Sequence, residues 1–111
     1  MQLAEIVQIL GLSVRGGEQR LSREVTGGCV SDLLSYAMAN ARAGNIWVTI
    51  QVHPNIVGVA GLLDLAAVVI AGGQDPEKAT LDKAGEQGVA LLTSQESAFT
   101  VAGRLYELGV R

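Results

Sequence analysis

The chain has 111 residues, a formal net charge of -3 and a single cysteine, so we expect one domain over residues 1–111 with no internal disulfide. Hydrophobic residues make up 49% of the chain, too many for a disordered tail. The acidic balance argues against nucleic acid as a partner, and a lone cysteine cannot build a cysteine-based zinc site.

The sequence favours a cytoplasmic protein with no membrane partner. No Lys or Arg precedes Arg15, whereas a signal peptide begins with a basic segment. The apolar run from Ile56 to Gly73 is long enough to raise the question of a membrane span, but Asp64 lies in its middle and glycines interrupt it. A buried helix followed by a buried strand is the better interpretation.

The N-terminal third begins with a helix and then loses its periodicity. One helical face is formed by Leu3, Ile6, Val7 and Leu10, and Gly11 can close the helix. Between Leu12 and Gly28 the pattern weakens, with a turn signal at Gly16-Gly17. The alternation there predicts a strand around Glu24 to Thr26, ending in a glycine turn at Gly27-Gly28.

A helix and a central strand are predicted next. Ser31 can cap the helix and Asp32 suits its positive end. The apolar stripe is Leu34, Ala37, Met38 and Ala41, and it finishes before Gly44. Asn45 to Gln51 is β-branched and aromatic, which indicates a strand, and its Trp47 belongs in the core or at a dimer interface.

Two further strand and helix pairs complete the chain. Ile56 to Leu65 predicts an apolar helix, and Ala66 to Ala71 a strand covered on both faces. Asp75-Pro76-Glu77 is typical of a helix start, with the helix running to about Gly88. Val89 to Leu92 predicts a strand. The last helix is expected from the capping-box spacing of Thr93 and Glu96, with a buried stripe of Phe99, Ala102, Leu105 and Tyr106 and a left-handed cap at Gly109.

These elements predict a three-layer α/β/α fold with a mainly parallel sheet of about four or five strands. The connections from Gln51 to Ala67 and from Ala71 to Val89 are long enough for parallel crossovers. Parallel strands bring the turns that follow them to one edge of the sheet, where open α/β sheets place ligands. We therefore expect a small polar groove at that edge.

The turn after the central strand carries Gln51, His53 and Asn55, whose amide and imidazole groups can bind a base, a ribose or a partner's backbone. The alternative is a solvated His53 and an Asn55 that caps the next helix. The second turn, Gly72-Gly73 before Asp75, resembles an anion cradle, or is only a tight and well-capped connection. Thr93 opens the third turn.

The segment from Gly27 and Gly28 to Asp32 repeats the pattern of a strand, a glycine turn and a helix start, and favours a sharp turn over an anion site. Cys29 is best interpreted as a small buried hydrophobe. No catalytic motif is present, and no catalytic residue, metal ligand or cofactor is expected.

Four stretches together resemble the short stand-alone DRTGG-domain proteins. They are Val25-Thr26-Gly27-Gly28 with Ser31 to Leu34, Trp47 to Gln51 with His53 and Asn55 to Val57, Ala71-Gly72-Gly73, and Leu105 to Gly109. The resemblance implies a fold similar to the N-terminal domain of HPr kinase/phosphorylase and an accessory, regulatory role. It also suggests a link to redox or hydrogenase metabolism. The chain departs from the family name where it has His53-Pro54 in place of Asp-Arg and Ala71 in place of Thr.

The resulting hypothesis is a non-catalytic regulatory or protein-interaction module that forms a homodimer and has an unidentified protein partner. Its dimeric state is expected from the apolar excess. One alternative is an adenine-nucleotide sensor that uses the same turns for a small nucleotide. A second is a small phosphotransfer or hydrolytic enzyme, which needs a nucleophile beside a base drawn from Cys29, Ser31, Asp32 and His53.

Overall fold

A five-stranded sheet runs through the middle of the molecule. The computed structural model describes residues 1–111, and the strands are β1 (Ser13–Gly16), β2 (Gly27–Val30), β3 (Asn45–Thr49), β4 (Ala67–Ile70) and β5 (Leu91–Thr93). Their order in the sheet is β1-β5-β4-β3-β2. Strands β2, β3, β4 and β5 are parallel, and β1 joins β5 antiparallel. The predicted mainly parallel sheet is confirmed.

Five helices cover the two faces of this sheet. They are α1 (Leu3–Leu10), α2 (Leu34–Asn40), α3 (Asn55–Leu63), α4 (Lys78–Gln87) and α5 (Ala98–Glu107), with a short 3-10 turn at Glu18–Arg20. One core cluster lies between the sheet and the α1 and α5 pair, and the other lies between the sheet and the remaining three helices. We call these sides the first face and the second face. The three-layer α/β/α fold is confirmed.

The central strands supply both cores by strict alternation. Val48 and Val69 point to the first face, while Trp47 and Val68 point to the second. All four residues of β4 are fully buried, as the unbroken apolar run predicted. Trp47 is also fully buried, and its Nε1 donates to the carbonyl of Ser31 at 2.8 Å. Trp47 is therefore a core residue.

Several predicted helix ends are confirmed. Helices α1 and α4 end at left-handed glycines, Gly11 and Gly88. Gly109 has φ +94° directly after the last residue of the α5 cap, Leu108. Glycine adopts this conformation without the steric penalty that a Cβ brings, which is why the sequence marks these ends clearly.

The segment between α1 and α2 differs from its prediction. The strand lies at Gly27–Val30 and not at Glu24 to Thr26. Gly27 and Gly28 are therefore not a turn: they pair with Asn45 and Ile46 in the ladder. Strand β1 was not predicted at all, because its four residues are mostly half-exposed and carry no alternation. Both strands depend on pairing with neighbours that are distant in sequence.

Three predicted helix starts are also wrong. Ser31 does not cap α2; its hydroxyl accepts from the Leu33 amide at 3.0 Å, and α2 begins at Leu34. Helix α4 begins at Lys78 rather than at Asp75. Thr93 ends β5, so the capping box of Thr93 and Glu96 does not form, and α5 is instead capped by Ser97, which accepts from the Thr100 amide at 3.2 Å. Of the residues that local spacing had assigned to caps, Asp75 is paired with the distant Arg15, whereas the Ser31 hydroxyl is bonded locally to Leu33.

Two apolar stripes were only partly predicted. In α5 the buried residues are Val101 and Leu105, whereas Phe99 is 89% exposed and Tyr106 is 59% exposed. Met38 of α2 is exposed as well, although Ala37 is buried. Each of these short helices carries apolar residues on more than one side, so periodicity alone did not indicate which side meets the sheet.

None of the five helices is both long and apolar enough to cross a membrane.

Candidate functional site

The turns that follow the parallel strands meet at one edge of the sheet, which we call the carboxyl edge. Strands β2 to β5 run in the same direction, so the chain leaves Val30, Thr49, Ile70 and Thr93 on the same side. The predicted convergence is confirmed by this topology. The geometry of each turn then shows what its polar groups contact.

Asp32 and Gln51 join the ends of β2 and β3. Asp32 Oδ1 accepts from the buried Thr49 hydroxyl at 3.0 Å and from the Ile50 amide at 2.9 Å. Gln51 Nε2 donates to the Asp32 carbonyl at 3.2 Å, and the Gln51 amide donates to Thr49 Oγ1 at 3.1 Å. The fold thus brings two predicted site residues together, and it uses them to connect two neighbouring strands.

His53 and Asn55 form the start of α3. His53 Nδ1 accepts from the Asn55 backbone amide at 3.1 Å, so the imidazole caps the helix, a role that had been considered for Asn55. Asn55 is the first helical residue. Both side chains are exposed. The Nε2 atom of His53 and the amide group of Asn55 form no hydrogen bond within the protein, so they face solvent with free hydrogen-bonding capacity.

The Gly72-Gly73 turn lies beside the end of β5. Both glycines have positive φ, +76° and +71°. The Gly72 amide donates to the Glu96 carbonyl at 2.7 Å and the Gly73 amide to the Ser94 carbonyl at 2.9 Å. These are the donors that an anion cradle would need. Because both are occupied, the geometry fits a tight connection better than a phosphate site.

Two ion pairs at this edge were not found from the sequence. Asp75 is 86% exposed and pairs with Arg15 of β1 at 3.2 Å. Glu96 pairs with Arg104 of α5 at 2.6 Å, and Arg104 also donates to the Ile9 carbonyl at 2.9 Å. The antiparallel β1 brings Arg15 to this edge, and no sequence pattern indicated that strand. Thr93 is buried as the last residue of β5.

The remaining predicted residues lie elsewhere. Gly27 and Gly28 occupy the beginning of β2, at the opposite end of the strand from Asp32. Cys29 is 8% exposed, and burial raises the pKa of its thiol. His53 forms no hydrogen bond with Cys29, Ser31 or Asp32. The hydrogen bond between nucleophile and base that the enzyme alternative requires is therefore not formed among these residues.

The molecule has two cavities, and neither lies at the carboxyl edge. The larger, about 310 Å³, is an apolar trough between the edge strand β2 and helix α5. Its lining includes Gly28, Val30, Ile46, Val48, Leu105 and Tyr106; we call it the β2/α5 trough. The smaller, about 80 Å³, lies between the end of α3 and the end of α4. The carboxyl edge is therefore an open surface rather than a cavity.

The carboxyl edge carries exposed imidazole and amide groups that can form hydrogen bonds. The free groups are the imidazole of His53 and the amides of Asn55 and Gln95, while the nearby arginines are engaged by carboxylates. Such groups bind neutral polar atoms in a base, a ribose or a peptide backbone. Together they favour recognition by hydrogen bonds over recognition by charge.

Comparisons with known proteins give one informative result. No family model and no curated protein matches the chain. Among solved structures, the fold is similar to the CBS and DRTGG domains of the regulatory region of Clostridium perfringens pyrophosphatase, solved with the activator diadenosine tetraphosphate. The TM-score is 0.73 and the identity 17%, covering 92% of this chain and 44% of that one. The chain thus spans less than half of that structure, and at this identity the likeness confirms the resemblance to DRTGG domains at the level of the fold.

Proposed function

We propose that this chain is a non-catalytic regulatory module of the DRTGG type that acts as a homodimer and binds its ligand or protein partner at the carboxyl edge. The observation that carries the proposal is the fold shared with a regulatory region that binds an activator. The exposed groups of His53, Asn55 and Gln95 support the location. A link to redox or hydrogenase metabolism rests on the family resemblance alone.

The second candidate is an adenine-nucleotide sensor that uses the same surface. It is favoured by the diadenosine tetraphosphate bound to the similar regulatory region. Hydrogen bonds from imidazole and amide groups suit the base and the ribose, whereas the Gly72 and Gly73 amides are already occupied. Binding in this form depends on base and sugar contacts, so inorganic phosphate alone is a poor ligand.

Thermal denaturation with a nucleotide panel tests the sensor. We expect diadenosine tetraphosphate, ATP, ADP or AMP to stabilise the fold by about 2.7 kcal/mol at a hundredfold excess over the dissociation constant, an increase in Tm of about 10 °C. Inorganic phosphate at the same concentration should give no increase. A panel without any shift removes the nucleotide from the proposal and leaves the protein-interaction module.

Paired variants separate ligand contact from helix capping. His53→Asn keeps a side-chain acceptor for the amide two residues on and removes the imidazole, while His53→Ala removes both. If His53 contacts ligand, both variants should weaken nucleotide binding at least tenfold, and only His53→Ala should also lower Tm without ligand. Asn55→Ala should also weaken nucleotide binding, whereas its matched control Asn40→Ala, at an exposed asparagine at the end of α2, should leave binding unchanged. Catalytic turnover that His53→Ala abolishes would overturn the non-catalytic proposal.

A further inference from the structure

Strand β2 is an open edge of the sheet. It is the outermost strand and pairs only with β3. The Ser31 amide donates to the Val48 carbonyl at 3.1 Å, and in a parallel ladder alternate residues direct their backbone groups to the same neighbour. The backbone amide and carbonyl of Cys29 therefore point to β3, while those of Gly28 and Val30 point away from it. No turn, loop or cap hydrogen bond uses the amides or carbonyls of those two residues.

This edge lacks the features that keep edge strands apart. Natural sheets protect their edges with charged residues, proline, bulges or a covering segment. Residues 25–31, which contain β2 and its flanks, hold no charged residue and no proline. Val30 is 52% exposed. The charged residue that lines the β2/α5 trough is Arg111, whose guanidinium lies over the Tyr106 ring, 4.3 Å from its centroid, so the strand itself brings no charge to a second copy.

Apolar surface is concentrated beside the same strand. Of the ten large hydrophobic residues that are exposed, six belong to β2, to α2 with the residue before it, or to α5: Val30, Leu33, Tyr36, Met38, Phe99 and Tyr106. Phe99, Ala102 and Tyr106 are spaced three and four apart and so share one face of α5. Ala102 and Tyr106 line the β2/α5 trough. Exposed apolar area of this kind marks an interaction surface.

We infer that β2 is the interface at which two copies of this chain join, through antiparallel pairing of β2 with its equivalent about a two-fold axis at Cys29. Gly28 then lies opposite the partner's Val30, and each such pair exchanges two backbone hydrogen bonds. The two five-stranded sheets become one continuous sheet of ten strands. This interface rests on the homodimer in the proposed function and specifies where its subunits meet.

The sequence of β2 is complementary to itself in this register. A two-fold interface places the same surface on both subunits, so each group needs its partner within the same short segment. Gly28 has no side chain, and it leaves room at the trough for the partner's Val30. Cys29 lies on the opposite side of the strand and faces the second core cluster. A one-residue slip would place Val30 against the partner's Cys29 and direct the unpaired groups away from each other.

Sedimentation with matched charge variants tests the surface. We expect the wild-type chain to sediment as a dimer, twice 11.5 kDa, at micromolar concentration. Val30→Lys should raise the dissociation constant at least tenfold, while Leu62→Lys, at a 73% exposed position on α3, should leave it unchanged. Phe99→Asp is a second variant at an 89% exposed site in the first turn of α5, so it should fold normally and also weaken the dimer.

Oxidative cross-linking tests the register. Cys29 is the only cysteine, so any disulfide dimer joins it to the partner's Cys29. At a non-hydrogen-bonded antiparallel pair the Cα atoms lie about 4.5 Å apart, within disulfide range. Because burial raises the pKa of the thiol, the oxidation is run at alkaline pH. We expect a covalent dimer from the wild type and a marked loss of it in Val30→Lys.

The outcomes distinguish this interface from the proposed function. A wild-type chain that is monomeric at 100 micromolar would overturn both the interface and the homodimer. A dimer that Val30→Lys and Phe99→Asp leave intact would overturn the interface alone. A dimer that both variants weaken but that gives no Cys29 cross-link would refute the register. The nucleotide melts are independent of all three results.

Discussion

Individual polar residues at the carboxyl edge hold turns in place, and only some remain free for a ligand. Asp32 accepts two hydrogen bonds from the end of β3, and His53 Nδ1 accepts one from the start of α3. The sequence had left helix capping open as an alternative to binding, but for Asn55 rather than for His53. His53 can fill both roles, since its Nε2 stays exposed.

Replacement of Asp32 should destabilise the fold through Thr49. The Thr49 hydroxyl is fully buried and donates to Asp32 Oδ1, so Asp32→Ala leaves this donor without its acceptor. We expect a loss of about 1–3 kcal/mol in the free energy of unfolding. Asp32→Asn retains an oxygen acceptor and should lose less. Urea denaturation of the two variants and the wild type measures these changes in the free energy of unfolding.

Asp75→Ala is the matched control for this experiment. Asp75 is also an acidic residue at the carboxyl edge, but it is 86% exposed and forms one ion pair with Arg15. Its removal should change stability by less than about 1 kcal/mol. Equal effects of the Asp32 and Asp75 substitutions would contradict the role of Asp32 as the acceptor for the buried Thr49 hydroxyl.

At the scale of the elements, one ion pair connects the end of α3 to the segment before β2. Arg23 donates from Nη1 and Nη2 to the two Asp64 carboxylate oxygens at 2.9 and 3.0 Å. Asp64 is also the left-handed residue that ends α3, with φ +57°. The hydrogen bond from Arg23 lowers the pKa of Asp64, and the charge of Arg23 acts in the same direction.

This lowered pKa predicts a pH dependence. A depressed pKa stabilises the fold above the unfolded value, about 3.9, and that contribution is lost as pH falls through the folded pKa. Asp64→Asn retains a residue that tolerates the left-handed conformation and removes the charge. Because Asp64 is 66% exposed, the free energy of unfolding of the wild type should exceed that of this variant by less than about 1 kcal/mol at pH 7. The difference should vanish at pH values below the lowered pKa.

Urea denaturation from pH 2 to pH 7 checks this prediction. Asp82→Asn, at an exposed i,i+4 pair with Lys78, is the control and should change stability at pH 7 by no more than about 0.5 kcal/mol. A difference between the wild type and Asp64→Asn that stays constant down to pH 2 would show that the ion pair does not contribute.

For the whole molecule, the two cores share one sheet and should unfold together. Val68 and Val69 are adjacent in β4 and fully buried, yet they belong to the clusters on opposite faces. A small domain with this organisation normally unfolds in one transition. Val68→Ala and Val69→Ala should each reduce the free energy of unfolding by about 2 kcal/mol.

Trp47 fluorescence provides the measurement. Trp47 is the only tryptophan and lies in the cluster on the second face, opposite Val69. Val69→Ala should nevertheless shift the fluorescence and far-UV circular dichroism transitions in urea by the same amount. A fluorescence midpoint unchanged in Val69→Ala would mean that the two faces unfold separately.

The sequence by itself determined the elements that bury apolar residues through local patterns. The continuous run in β4, the β-branched run in β3 and the glycine ends of α1 and α4 each depend on residues adjacent in the chain. Parallel pairing followed from the length of the crossovers, and with it the carboxyl edge where Gln51, His53 and Gly72 gather.

Only the tertiary structure decided the features that depend on distant partners. Strands β1 and β2 exist because β5 and β3 supply their hydrogen bonds, Asp75 pairs with Arg15 of β1 instead of starting α4, and Thr93 ends β5 instead of capping α5. The exposed side of α5 and the open edge of β2 were likewise hidden from local patterns. The physical reason is that a short, partly exposed segment gains most of its stabilisation from contacts far away in sequence, which periodicity and spacing do not record.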